Sequence, residues 1–158
     1  MALEIERKFL VKNDSWKKSA DTGAKMIQGY IASEKVTVRV RIAGEKAFLT
    51  LKGRSSSDGV SRHEFEYSIP LPDAEKMLEE LCDKPYIEKT RYSVTGEDSR
   101  EWEVDVFSGA NSGLVVAEIE LEREDEGFAL PGWAGEDVSS RPEYRNSSLA
   151  KNPFNSWE

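Results

Sequence analysis

The chain has 158 residues, with 22 Lys and Arg against 30 Asp and Glu, a formal net charge of −8, and 33% charged residues beside 38% hydrophobic ones. At ~100–200 residues per domain this predicts one domain over residues 1–158, too aromatic to be disordered. Cys82 is the only cysteine, which excludes a disulfide scaffold and fits a reducing cytoplasm. No apolar run approaches ~20 residues, and Glu4, Glu6, Arg7 and Lys8 already charge the first segment, so neither a transmembrane helix nor a secretory signal is expected. Net acidity argues against general nucleic-acid binding, which needs an excess of cations.

Residues 3–11, LEIERKFLV, alternate apolar and charged positions with a period of two, the spacing of a strand whose side chains point to opposite faces in turn. Residues 14–20 predict a short helix with Asp14 as its N-cap. Strand spacing returns at 26–32, interrupted by Gly29, and at 36–42 and 47–53, the last two joined by a turn at Ala43-Gly44-Glu45. Gly53–Arg62, rich in Ser and Gly, reads as a mobile loop before a strand at 63–69. Residues 73–83 place Met77, Leu78, Leu81 and Cys82 on one helical stripe, with Pro85 beyond the end. Three further strands follow at 86–94, 100–107 and 115–122, with a turn at 96–99, and a tail punctuated by Pro and Gly runs from Glu124. The expected fold is mainly β: a closed or nearly closed eight-stranded antiparallel barrel with a few helices packed outside.

One parity per strand collects Glu4, Glu6, Lys8, Arg39, Arg41, Lys52, Glu64, Glu66, Lys89, Arg91, Glu101, Glu103, Asp105, Glu118, Glu120 and Glu122. These are ten carboxylates and six cations, with the signs largely segregated by strand. A sheet with one solvated face also alternates. Such a face usually carries more Thr, Ser and Gln, and adjacent like charges such as Glu4/Glu6 or Arg39/Arg41 add repulsion that a surface need not carry. Folded inward, the same charges would line a bore, where their desolvation demands a complementary guest. The balance of −4 would be cancelled by two divalent cations, and hard oxygen ligands select Mg²⁺ or Mn²⁺. The cations would then grip a small dense polyanion, for which a linear triphosphate is suited. A glycine-rich phosphate loop is absent, so side chains would have to hold the phosphates.

EIERK at the first strand, followed in order by VRVR, LTLKG, EFEY, KTRY, EVDVF, EIELE and YRNSSLA, resembles the CYTH superfamily of triphosphate tunnel metalloenzymes along most of the chain. The resemblance implies an eight-stranded antiparallel tunnel and metal-dependent action on a triphosphate, with inorganic tripolyphosphate, cleaved to pyrophosphate and phosphate, as the first choice. Class IV-type adenylyl cyclase, thiamine triphosphatase and a non-catalytic polyphosphate- or nucleotide-binding module are the alternatives. It implies metal ligation by Glu4, Glu6, Glu118 and Glu120, with Asp105, Glu64 and Glu66 as further carboxylates. Phosphate would be held by Lys8, Arg39, Arg41, Lys52, Lys89 and Arg91. Tyr30 resembles a tyrosine that works beside the motif lysine, so a catalytic Lys8–Tyr30 pair is expected to steer or protonate the phosphate chain. His63 and Cys82 read as non-functional. A homodimer is left open.

Overall fold

The computed structural model describes residues 3–157. Its strands are β1 (Leu3–Val11), β2 (Ala24–Ile31), β3 (Thr37–Ala43), β4 (Lys46–Lys52), β5 (Ser61–Ile69), β6 (Ile87–Thr95), β7 (Glu101–Ser108), β8 (Val115–Glu120) and β9 (Ala134–Asp137). Two α-helices are present among the described residues, α1 (Leu71–Leu81) and α2 (Asn146–Lys151). All strand pairs are antiparallel, in the order β5-β4-β3-β2-β6-β7-β8-β1, and β1 pairs back to β5 through Leu3↔His63, Glu4↔Arg62 and Ile5↔Ser61. That last pairing closes the expected eight-stranded barrel. The ninth strand, β9, takes the other half of the same β1 edge at Phe9↔Asp137 and Val11↔Ala134. β1 thus serves two partners along one side, which removes the free edge that an open sheet would leave. No helix among the described residues is long and apolar enough to cross a membrane.

Alternation sends one parity of each strand inward and the other outward, and the outward apolar residues are covered in two places. Ile5, Phe9, Val94, Trp102, Val104, Ala117 and Ile119 pack beneath Trp16, Leu121 and Trp133. On the opposite side Val40 and Ala47 lie under Ala74 and Leu78 of α1. Gly29 permits this approach: a Cβ there would stand 2.7 Å from Leu78 Cδ2 and 2.8 Å from Cys82 Cβ. A third cluster of Tyr30, Ile87, Phe107, Leu114, Val116, Val138, Tyr144 and Leu149 contains several residues of the inward parity, so one end of the bore is filled by apolar side chains beneath α2.

Several local expectations are corrected. Residues 15–19 form a 3₁₀ turn rather than an α-helix, and Asp14 makes no capping bond. Asn13 Oδ1 accepts from the Ser15 amide instead, at 3.0 Å. The second helix starts two residues earlier than its acidic first turn suggests, with Pro72 in that turn, where a missing N–H has no intrahelical partner to lose. The Gly53–Arg62 stretch is held by backbone bonds from Ser56 N to Ser61 O (2.7 Å) and from Glu6 N to Val60 O (2.9 Å), and Val60 is buried.

Candidate active site

The bore opens into a cavity of about 350 Å³, within the range of small-molecule sites. Its wall includes Glu4, Glu6, Lys8, Tyr30, Arg39, Arg41, Lys52, Glu64, Glu66, Lys89, Arg91, Glu118 and Glu120. All the residues singled out in the sequence as metal- or phosphate-binding converge here except Asp105. Glu103 joins them, whereas Glu101 is exposed and bonded to Ser93 and Thr95, and Glu122 is exposed.

Strand order sorts the charges by sign. Going round the barrel, β4, β3 and β6 contribute Lys52, Arg39, Arg41, Lys89 and Arg91, with β2 inserting the neutral Gln28 and Tyr30 among them. β7, β8, β1 and β5 then contribute Glu103, Glu118, Glu120, Glu4, Glu6, Glu64 and Glu66, joined by Lys8. A basic arc therefore faces an acidic arc across one enclosed space. Register makes the acidic arc dense: Glu6 stands opposite Glu120, and Glu103 opposite Glu118, arrangements that repel. Burial, followed by the charges of Glu118 and Glu4, pushes the Glu6 carboxyl well above its usual range. Glu118 is also buried, yet Lys8 and Arg91 hold it well below.

The cations are fixed from behind. Asp105, 1% exposed, lies beneath the wall and uses both oxygens: Lys89 Nζ donates to Oδ2 at 2.7 Å, and Arg91 donates from Nε to Oδ1 at 2.7 Å and from Nη2 to Oδ2 at 2.9 Å. Arg91 also reaches Glu103 at 3.2 Å. Burial lowers Lys89 to about 7 despite Asp105, and lowers Arg41 to about 10, with Arg39 and Arg91 adding repulsion. Arg39 donates to Glu66 and Thr50, both at 3.3 Å, and its buried Nε has no partner among the described residues. Lys52 spans Glu4 and Glu64, at 3.2 and 3.3 Å.

The carboxylates fit a hard divalent cation. Glu64 Oε2 is buried and, beyond its ion pair with Lys52 at 3.3 Å, receives no hydrogen bond, and the neighbouring Glu4, Glu6, Glu118 and Glu120 offer only oxygen. Among the described residues no three acidic, His or Cys side chains close a coordination shell by themselves.

The expected Lys8–Tyr30 contact is not made among the described residues. Lys8 Nζ donates to the Tyr144 carbonyl at 3.3 Å, while the Tyr30 hydroxyl receives Gln28 Nε2 at 3.2 Å. Sequence reading also missed Arg62 and Gln28, and it left Asn146 of the YRNSSLA segment open between a tunnel-mouth and a structural-turn role. Arg62 shares the parity of Glu64 and Glu66 and would have been found by starting β5 one residue earlier. Gln28 shares the parity of Tyr30. Asn146, carried by the tail, has no periodic signal.

The chain matches the CYTH domain over residues 2–152. It is 48% identical over 159 residues to an inorganic triphosphatase of Acetivibrio thermocellus, covering 100% of this chain and 99% of that one. It is 37% identical over 151 residues to an inorganic triphosphatase of Nitrosomonas europaea, covering 93% and 96%. The crystal structure of the inorganic triphosphatase NE1496 superposes with a TM-score of 0.66 at 35% identity, over 92% of this chain and 96% of that one.

Proposed function

The chain belongs to the CYTH domain family, and from that premise we propose that it hydrolyses inorganic tripolyphosphate to pyrophosphate and orthophosphate inside the barrel. The observation that carries this reading is the facing pair of arcs, five cations against a row of carboxylates, in one cavity. Neither half alone suggests an enzyme, since a polyanion binder needs the cations but has no use for opposed glutamates. Both curated relatives are inorganic triphosphatases.

Arg39, Arg41, Lys52, Lys89 and Arg91 bind the phosphate chain and stabilise charge on the transferred group and the leaving pyrophosphate, which is positioning and electrostatics. Asp105 holds Lys89 and Arg91 in place and is assigned to that task rather than to metal. Glu4, Glu6, Glu118 and Glu120, with Glu64 and Glu66 beside them, would hold Mg²⁺ or Mn²⁺. The metal supplies neutralisation of phosphate oxygens and a more acidic water. Glu118, kept ionised, is the carboxylate best able to orient an attacking water. Lys8, tethered to the Tyr144 carbonyl, stands between the acidic strands and relieves their repulsion. Tyr30 is the one aromatic ring on the described wall and belongs to the apolar floor, which supports an inorganic substrate over a nucleotide or thiamine ester. A cytoplasmic setting accords with the single cysteine.

The test is phosphate release with Mg²⁺ or Mn²⁺ from tripolyphosphate, ATP, thiamine triphosphate and pyrophosphate. Tripolyphosphate is expected to give the highest kcat/KM, and chelation to stop the reaction. A better organic substrate, or tight tripolyphosphate binding without turnover, would remove the proposal.

A further inference from the structure

Asn146 opens α2 and lines the cavity beside Ser147, next to the apolar floor. Its Oδ1 lies 3.0 Å from Lys89 Nζ and 3.2 Å from Gln28 Nε2. An ammonium has donors only, so the amide atom facing Lys89 must be the oxygen, and the orientation of Asn146 is fixed. Gln28 is set in the same way: Arg41 Nε, also a donor only, takes Gln28 Oε1, leaving Nε2 for Asn146 and the Tyr30 hydroxyl. Two cations of the basic arc thus determine how both amides point. Asn146 Nδ2 makes no hydrogen bond to the protein among the described residues, although its own oxygen is fully engaged. The segment around it is anchored on two sides. Leu149 is completely buried in the floor cluster, and the Tyr144 carbonyl holds Lys8.

Resting on the reading of the cavity as a triphosphate site, we propose that Asn146 is a further substrate-binding residue whose side-chain NH2 donates to a non-bridging oxygen of the terminal phosphate lying nearest the floor. The chemistry suits the position. Arg41, Lys89 and Arg91 already crowd this end of the bore, and another cation would add repulsion, whereas a neutral amide adds a donor without charge. A guest with acceptors alone, a phosphate, satisfies it.

Asn146→Asp separates direct donation from support of Lys89. The aspartate retains an acceptor for Lys89 and Gln28 but turns the free NH2 into a second acceptor facing the phosphate. Calorimetric titration of the metal-free protein with tripolyphosphate, together with KM under Mg²⁺, is expected to show binding weakened about tenfold or more in Asn146→Asp and also in Asn146→Ala. Wild-type affinity in Asn146→Asp with weakened Asn146→Ala would make Asn146 a support for Lys89 only and overturn the assignment. Should thermal melting show that Asn146→Asp is unfolded, Asn146→Thr offers the same comparison, a hydroxyl toward Lys89 and a methyl in place of the NH2. Weakening of about tenfold supports donation, and unchanged affinity overturns it. A wild-type chain that neither binds nor cleaves tripolyphosphate would instead remove the parent reading.

Discussion

Glu6 of β1 and Glu120 of β8 are direct cross-strand partners, so two carboxylates share one register position on the wall of an enclosed cavity. Opposed like charges in that position destabilise a sheet, and the fold accepts the repulsion where a positive guest relieves it.

Glu120→Gln and Glu4→Gln should therefore act oppositely on folding and on chemistry. Removing one of the crowded charges is expected to stabilise the metal-free protein by about 0.5 kcal/mol, raising Tm by roughly 1–3 °C. Turnover is expected to fall more than about a hundredfold, since the oxygens that would hold the metal are weakened. Melting curves and phosphate release on the same preparations check both, and retained turnover in both variants would remove the metal assignment.

Acidity around Glu6 gives a second expectation. Its folded-state value is raised well above 4.5 by burial and by Glu118 and Glu4, and Glu4 is raised too, mainly by burial. The folded chain therefore keeps protons that the unfolded chain has lost, and the metal-free protein should lose stability as pH rises above 4.5 through the folded-state values. The window ends near pH 7, where Lys89 begins to release its proton and acts with the opposite sign. Metal held by Glu6, as proposed, would displace its proton, so apparent Mg²⁺ affinity should climb with pH. Melting temperatures with EDTA and with Mg²⁺ at about pH 5 and about pH 6.5 test this. A Mg²⁺-induced rise in Tm that is no larger at the higher pH would contradict it.

What the sequence disclosed was whatever repeats along a strand. The parity that carries Glu4, Glu6 and Lys8, or Arg39 and Arg41, fixes which face each side chain takes, and closure follows from the number of strands. Asp105 shares that parity, yet it ends beneath the wall because Lys89 and Arg91 converge on it from the neighbouring strand, and depth within a bore leaves no mark on alternation. β9 was not legible because four residues of a glycine-containing tail carry too little pattern. Gly135 is placed there by the close approach of its Cα to the Leu10 carbonyl, 3.2 Å from where a Cβ would stand. Asn146 and the Tyr144 carbonyl reach the site through tertiary folding of a segment with no period at all.

Gly59 fastens the stretch between β4 and β5 to the segment after β9. It has φ +78°, and a Cβ there would lie 2.1 Å from the Ser139 carbonyl oxygen. Gly59→Ala is expected to cost about 1–3 kcal/mol through backbone strain and displacement of Ser139. Ser139 Oγ receives the Lys8 amide at 2.8 Å, so kcat should fall as well. Denaturant unfolding within about 0.5 kcal/mol of wild type would show that the contact yields freely.

Asp105→Asn tests whether the buried carboxylate positions cations or binds metal. Three donors from Lys89 and Arg91 converge on its two oxygens. An asparagine keeps one acceptor and turns an NH2 toward one of the cations, leaving buried positive charge without a counterion, a change expected to cost about 3–5 kcal/mol. The neighbouring Lys89 and Arg91 hold the Asp105 carboxyl down at about 2 although burial opposes them. Its contribution is therefore present above pH 3.8 and disappears as the pH falls toward 2. The stability gap between wild type and variant should accordingly close in that acid window. KM for tripolyphosphate should rise because Lys89 and Arg91 are released from their fixed geometry, while the Mg²⁺ concentration for half-maximal activity stays within about twofold. If Asp105→Asn instead leaves stability unchanged and raises the Mg²⁺ requirement tenfold or more, Asp105 is a metal ligand and the two cations owe their positions to something else.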